Sequence, residues 1–498
     1  MEEHNEEKKV VRYHLERHKW PDEIQAEKEQ KRKIITIIAT CIACFLSGFL
    51  VHGIINKSSV SSNSQFAKLE QIYSLMENQW YFGKEDKDLA NTLMTNAING
   101  MLDNQWDPHT SYMSPQEYES FASSLQGNFV GIGIQYYALD EDTFMVERVF
   151  KGSGAEKGGM IKGDMIKAVN GVSVKGKDID EIAAMIKGEL NSSVNITVVR
   201  ENKEIDLTIQ RSVVNDSVYG YVDQKVGILE INTFAETSGD EVGKYLADFK
   251  KQGVNQLIID LRDNGGGYVT AAMQIASYLV PQDAVVYQEQ SKDGTIQAHK
   301  AYDDYERYTF DQLVILINED TASASEVLTS CLKAHLKHAS TVGVTSYGKG
   351  TVQIPITFED GSSFKYTIAE WLTPNGKHIN GVGIKPDHKA ELDPAITTGI
   401  LNIPEKTVYK ADSVSPFAKP IQIYLKFLGY NADRSDEYFS HQSAQALKSY
   451  QRDHNLTVNG EINEETIKSL LSSCAKKWHQ NREALDVQMN KALSLLGK

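Results

Sequence analysis

One uninterrupted apolar run constrains this chain more than any other feature. Residues 34–55 read IITIIATCIACFLSGFLVHGII, with His52 and two thiols as the only titratable side chains. A helix of that length, at about 1.5 Å of rise per residue, crosses a hydrocarbon layer of roughly 30 Å. The run therefore predicts a transmembrane helix, and the fold must be built on the two sides of a membrane. Lys28, Lys31, Arg32 and Lys33 precede it, whereas Lys57 leads into a neutral serine-rich stretch. The positive-inside rule then predicts a cytoplasmic N-terminus and places residues 56–498 outside. A cleaved signal peptide is disfavoured, because the region ahead of the run is long and carries nine acidic residues, and no A-x-A site follows.

Residues 1–33 hold nine basic and nine acidic side chains, so they read as a solvated tail. The formal net charge of -15 thus falls wholly on the outer part, 43 basic against 58 acidic residues. That excess argues against a nucleic-acid partner, whose phosphates are held mainly by clustered Lys and Arg. Cys41 and Cys44 lie in the apolar run, while Cys331 and Cys474 stand far apart with no ligand at zinc spacing. No metal, no required disulfide and no organic cofactor are expected.

The outer part divides by pattern. A serine linker at 56–65 precedes a helical region at 66–116, where Leu69, Ile72, Met76, Leu89, Leu93 and Ala97 recur at helical spacing. Between 117 and 213, short strands broken by glycine surround one amphipathic helix at 179–186, which predicts a five-stranded sheet with a helix. Residues 214–395 alternate apolar strands (226–231, 256–261, 313–317) with helical patterns (240–250, 268–279, 325–336), the signature of a βαβ layer. A proline-marked linker at 396–416 leads to a helical module at 417–473 and a closing amphipathic helix within 474–498. That helix has two expected partners, the core or a second copy of the chain in a homodimer. The fold class predicted is multidomain α/β.

Three segments of the βαβ region carry chemistry. Asp260-Leu261-Arg262-Asp263-Asn264-Gly265-Gly266-Gly267 runs from a strand into three glycines, which let backbone amides approach an anion or oxyanion. The same glycines also suit a plain tight turn. Thr321-Ala322-Ser323-Ala324-Ser325-Glu326 opens a helix, and Ser323-x-x-Glu326 fits a capping box. The same position aims a hydroxyl past a helix N-terminus, where dipole and amides favour developing negative charge. In Tyr347-Gly348-Lys349-Gly350-Thr351-Val352-Gln353, strand alternation predicts Lys349, Thr351 and Gln353 on one face. A lysine base must be neutral, which requires lowering its pKa by about 3 units through burial. A Ser-His-Asp triad using His335 or His378 is the rival arrangement.

Together with Asp107-Pro108-His109-Thr110-Ser111-Tyr112, Thr373-Pro374-Asn375-Gly376 and the GVGIKPD segment at 381–387, these motifs resemble the carboxyl-terminal processing (tail-specific) serine peptidases. The resemblance implies Ser323 as nucleophile, Lys349 as general base and Gln353 as its positioner. It also implies an oxyanion hole from the amides of Ala324 and Gly266. Gly265 stands where many members have proline. The strand-rich module resembles a PDZ domain, with Phe129, Val130, Gly131, Ile132 and Gly133 as its carboxylate-binding loop. Residues 417–471 resemble a peptidoglycan-binding module through Gln422, Leu425, Gly429, Gln451, Asn459 and Gly460. The implied function is a membrane-anchored endopeptidase acting on extracytoplasmic proteins near their C-termini, held to peptidoglycan by its tail. The alternative from another class is a catalytically silent PDZ and cell-wall adaptor.

Overall fold

The computed structural model describes residues 64–103, 106–140, 143–399, 403–404 and 406–498. The expected cytoplasmic tail, membrane span and nearly all of the serine linker fall on residues 1–63, outside the described residues. Among the described residues no helix is long and apolar enough to cross a membrane. The described residues form two compact units, divided between Met101 and Leu102.

In the first unit the helical spacing is realised as α1 (Ser64–Gln79) and α2 (Leu89–Leu102). Tyr73 donates from its hydroxyl to the Ala90 carbonyl across the pair, at 3.3 Å.

The second unit opens with β1 (Ser111–Met113), α3 (Pro115–Gln126) and β2 (Asn128–Gly131). Ser114 and Glu117 form a full capping box at the start of α3. The strand-rich module follows as β3 (Ile134–Asp140), β4 (Thr143–Val149), β5 (Met165–Val169), β6 (Val172–Ser173), α4 (Ile179–Ile186), β7 (Ser193–Arg200), β8 (Lys203–Gln210) and β9 (Ser212–Asn215). Its sheet has six strands rather than five, ordered β3-β4-β5-β7-β8 with β6 on β5, and β2 pairs separately with β9. The extra strand arises because Asn170 (φ 50°) and Gly171 (φ 76°) make the tight turn between β5 and β6. Alternation buries Phe144, Val146, Val194, Ile196 and Val198 beneath Ile182 and Ile186 of α4.

The βαβ layer comprises β10 (Val218–Asp223), β11 (Val226–Ile231), α5 (Ser238–Lys251), β12 (Gln256–Asp260), α6 (Val269–Leu279), β13 (Val285–Ser291), β14 (Ile296–Lys300), β15 (Gln312–Ile317), α7 (Ala324–His335), β16 (Ala339–Gly343), β17 (Thr351–Thr357), β18 (Ser363–Leu372) and β19 (His388–Lys389). The main sheet runs β10-β11-β12-β15-β16-β19, parallel from β11 onward with β10 as an antiparallel edge. Strands β11, β12 and β15 are dominated by apolar residues because both of their faces are covered. Leu229, Ile259 and Ile315 face α5, α6 and α7, whereas Ile228, Ile258, Val314 and Leu316 face the end of the chain. A second sheet joins β1, β18, β13 and β14, with β17 on the other edge of β18.

The tail folds as α8 (Ala418–Leu428), α9 (His441–Asp453) and α10 (Glu464–Gln480), then α11 (Arg482–Leu485) and α12 (Val487–Leu495). Buried Gln422 accepts from Ser443 Oγ and donates to the Asp436 carbonyl. Gln451 accepts from the amides of Asn459 and Gly460, so these motif glutamines tie loops to helices. The boundary expected between 473 and 474 falls inside α10, and the single closing helix is two. Of its two expected partners, α12 takes the core: Ala492 and Leu496 are buried on the sheet face opposite α5–α7.

Candidate active site

Adjacent parallel strands β12, β15 and β16 deliver the three chemical segments to one carboxyl edge of the sheet, the edge where open α/β sheets hold ligands. Backbone contacts stitch the segments together. The Ala322 amide donates to the Asn264 carbonyl at 3.0 Å, and Ser325 Oγ reaches the same oxygen at 2.9 Å. Thr321 Oγ1 donates to the Leu261 carbonyl, while the Tyr347 amide donates to the Thr321 carbonyl.

Ser323 is the residue before α7, with φ 56° and ψ -119°. A side chain in that region of backbone space costs of order 1–3 kcal/mol and persists only where the surroundings enforce it. The Ser323 amide donates to Glu326 Oε2 at 2.9 Å. The glutamate half of the expected capping box is formed by this bond. Ala324 opens α7, so its amide is a first-turn donor without a carbonyl inside the helix.

Glu326 is wholly buried, and its carboxylate binds the nucleophile turn to the lysine segment. Oε1 accepts from Ser346 Oγ at 2.5 Å and the Gly348 amide at 2.8 Å, and Oε2 from the Lys349 amide at 2.9 Å. Burial raises the Glu326 pKa and these donors oppose the rise. Trp371 Nε1 donates to the Lys349 carbonyl at 2.8 Å, completing the hold on that backbone. The Lys349 side chain is half-buried, and burial first, then the charge of Lys365, lowers its pKa. His109, in the same field, is lowered by burial and by Lys349.

Gly266 lies against the nucleophile: φ is 105°, and an added Cβ would stand 2.8 Å from Ser323 Cβ. Its amide donates to Asn264 Oδ1 at 2.9 Å. Gly267 (φ 137°) leaves 2.4 Å between an added Cβ and the Phe234 carbonyl oxygen, whereas an added Cβ at Gly265 meets nothing within 4 Å.

Family models match in register with this architecture. Peptidase family S41 matches residues 225–390, a PDZ domain 145–200, a peptidoglycan binding domain 415–470, and the activating protease CtpB N-terminal domain 52–117. A "Probable CtpA-like serine protease" of Staphylococcus aureus (strain bovine RF122 / ET3-1) is 31% identical over 456 residues, 91% of this chain and 90% of its own length. This chain belongs to the CtpA-like serine proteases. The similarly described protein of Staphylococcus haemolyticus (strain JCSC1435) is 32% identical over 86% of this chain and 85% of its own length. A solved photosystem II D1 C-terminal processing protease overlaps 65% of this chain and 92% of its own at 24% identity, with a TM-score of 0.38.

This CtpA-like protease brings Ser323, Ala324, Gly266 and Lys349 to one sheet edge, but Gln353 differs from its expected placement. Lys349 precedes β17, and a register shift between Val352 and Gln353 breaks the alternation meant to align them. Gln353 Nε2 donates instead to Thr351 Oγ1 at 2.6 Å and Thr367 Oγ1 at 3.3 Å. Thr367 in turn reaches Asp107 Oδ1 at 3.1 Å, which docks the DPHTSY segment beside this hairpin. His335 contacts the Val285 carbonyl and the exposed His378 contacts Glu370.

The expected carboxylate loop is divided. Phe129, Val130 and Gly131 are paired in β2 with β9, and Ile132 and Gly133 alone make the turn into β3. Gly133 (φ 83°) would place a Cβ 2.2 Å from that of Ser153. Glu326 and Asn264 are the residues sequence reasoning passed over as organisers. A carboxylate immediately before the apolar pair Val327-Leu328 is the signal that marks Glu326, but its neighbour Ser325 weakens it.

Proposed function

We propose that this CtpA-like protease is a membrane-anchored extracytoplasmic endopeptidase working by a Ser-Lys mechanism. The observation that carries the reading is the strained Ser323 at the start of α7, bound through Glu326 to the backbone of a half-buried lysine. Neutral Lys349 takes the proton from Ser323 Oγ as it attacks the scissile carbonyl. The amides of Ala324 and Gly266 hold the oxyanion, Gly266 exchanging Asn264 Oδ1 for it. The proton passes to the leaving amine, and water then clears the acyl-enzyme. Gln353 serves as positioner by exchanging Thr351 for the lysine amine.

The substrates are extracytoplasmic proteins recognised near a nonpolar C-terminus by the PDZ domain, which gates access to the site. The α8–α10 module binds peptidoglycan. The span at 34–55 anchors the chain with residues 1–33 in the cytoplasm, so detergent is required to release the full chain from membranes and deletion of 1–55 frees it. With α12 used on the core, homodimerisation falls to the first unit, where Phe66, Ile72, Leu75 and Met101 are exposed. Sedimentation of the chain with and without 64–101 tests that.

Cleavage of an unfolded protein by the purified chain is expected to vanish in Ser323→Ala and Lys349→Ala and to persist in His335→Ala and His378→Ala. Cleavage by no version at all would favour the adaptor.

A further inference from the structure

The end of the chain reaches the loop ahead of the oxyanion glycines. Arg262, two residues past the strand end Asp260 and two before Asn264, is buried between two carboxylates. Its Nε and Nη2 engage Asp260 at 2.6–3.1 Å, and its Nη1 and Nη2 engage Asp486 at 2.8 and 3.1 Å. Gln488 Oε1 adds a third acceptor at 3.2 Å, and its Nε2 donates onward to the Ala390 carbonyl. Asp486 and Gln488 are almost fully buried, and Asp486 Oδ1 also caps α12 by accepting from the Met489 amide.

The packing of α12 does not need this cluster. Ala492 and Leu496 already seat the helix on the sheet through apolar contact. A buried ionic triad is a poor way to add stability, because desolvation consumes most of its attraction. What it supplies is direction: the planar guanidinium is fixed by a two-sided fork. The next residue, Asp263 (φ 60°), is fixed by Asn318, whose Oδ1 accepts its amide at 2.9 Å. The loop carrying Asn264 and Gly266 is thereby pinned at the two residues that lead into it, one pin belonging to the tail. Just upstream, His479 stacks on Tyr137 at 3.9 Å, and His479 and Arg482 both engage Glu147 of the PDZ sheet. Residues 479–488 therefore hold the PDZ domain at one end and the loop at the other.

We propose that Asp486 is a positioning residue of the peptidase, acting through Arg262 to set the loop that presents Gly266 to Ser323. The proposal rests on the Ser323 reading and extends it to the tail.

The test compares Asp486→Asn, which keeps a cap-competent side chain, with Gln488→Ala and with Ala492→Gly in the full chain. Steady-state cleavage, affinity for a peptide boronic acid that forms a tetrahedral adduct on serine, and thermal midpoint are read together. Asp486→Asn is expected to lower kcat about tenfold with KM unchanged and to weaken the boronate by a similar factor. Gln488→Ala is expected to act in the same direction by about twofold to threefold. Ala492→Gly is expected to lower the midpoint while leaving kcat unchanged. Full kcat and boronate affinity in folded Asp486→Asn would overturn the proposal, as would an equal kcat loss in Ala492→Gly. If Asp486→Asn does not fold, unchanged kcat in Gln488→Ala overturns it. Cleavage surviving in Ser323→Ala would sink the underlying reading instead.

Discussion

The backbone amides of Ser323 and Lys349 donate to the same oxygen, Glu326 Oε2, each at 2.9 Å. The nucleophile and its proposed base are thereby placed by one buried side chain rather than by direct contact between their backbones. Glu326→Gln keeps the shape but sets an NH₂ against donors that now meet an oxygen. Leaving one buried donor unmet costs about 1–3 kcal/mol, so kcat is expected to fall by about tenfold to a hundredfold, with a lower thermal midpoint. Cleavage rate per folded molecule, with folding read by circular dichroism, checks this.

The pH dependence follows from Lys349. Burial and Lys365 both disfavour its ammonium form, so the rate is expected to rise with pH along a limb lying below the ordinary lysine range. Lys365→Met removes the like charge, eases protonation of Lys349 and raises its pKa. The limb should then move to higher pH, with less activity near neutrality. A pH profile of kcat/KM for the two proteins reads the shift, and a limb that moves down contradicts the assignment of base.

Adjacent glycines are expected to behave oppositely. Gly265→Ala meets open space and should leave cleavage within about twofold, surface changes being small. Gly266→Ala pushes a Cβ against Ser323 from a positive φ and should abolish it. Parallel assays of the two variants suffice.

Much of this was legible because it depends on local pattern. The apolar runs of β11, β12 and β15 announce strands covered on both faces, and Ser323 at a strand-to-helix turn stands out by its neighbours. What stayed hidden depends on partners distant in sequence. Nothing local joins Asp486 to Arg262, or Gln353 to a threonine on β18, and the bulge at Val352 defeats an alternation rule that assumes a regular strand. Glu326 was visible as half of a capping box, but its second role needs the Tyr347–Gly350 loop to be folded over it.

The PDZ turn offers a further check. Gly133→Val forces a side chain against Ser153 in a left-handed backbone position and should abolish binding of a peptide with a free, nonpolar C-terminus. Isothermal titration of the full Ser323→Ala chain, with and without this change, measures it.

The central claim is that Lys349 activates Ser323. The most direct measurement is the rate at which a fluorophosphonate phosphonylates the purified chain with loss of fluoride, with the adduct located by peptide mass mapping. A single adduct on Ser323 is expected, forming at least a hundredfold more slowly in Lys349→Ala and at an unchanged rate in His335→Ala and His378→Ala. An adduct on another serine, or one formed at full rate in Lys349→Ala, would contradict it.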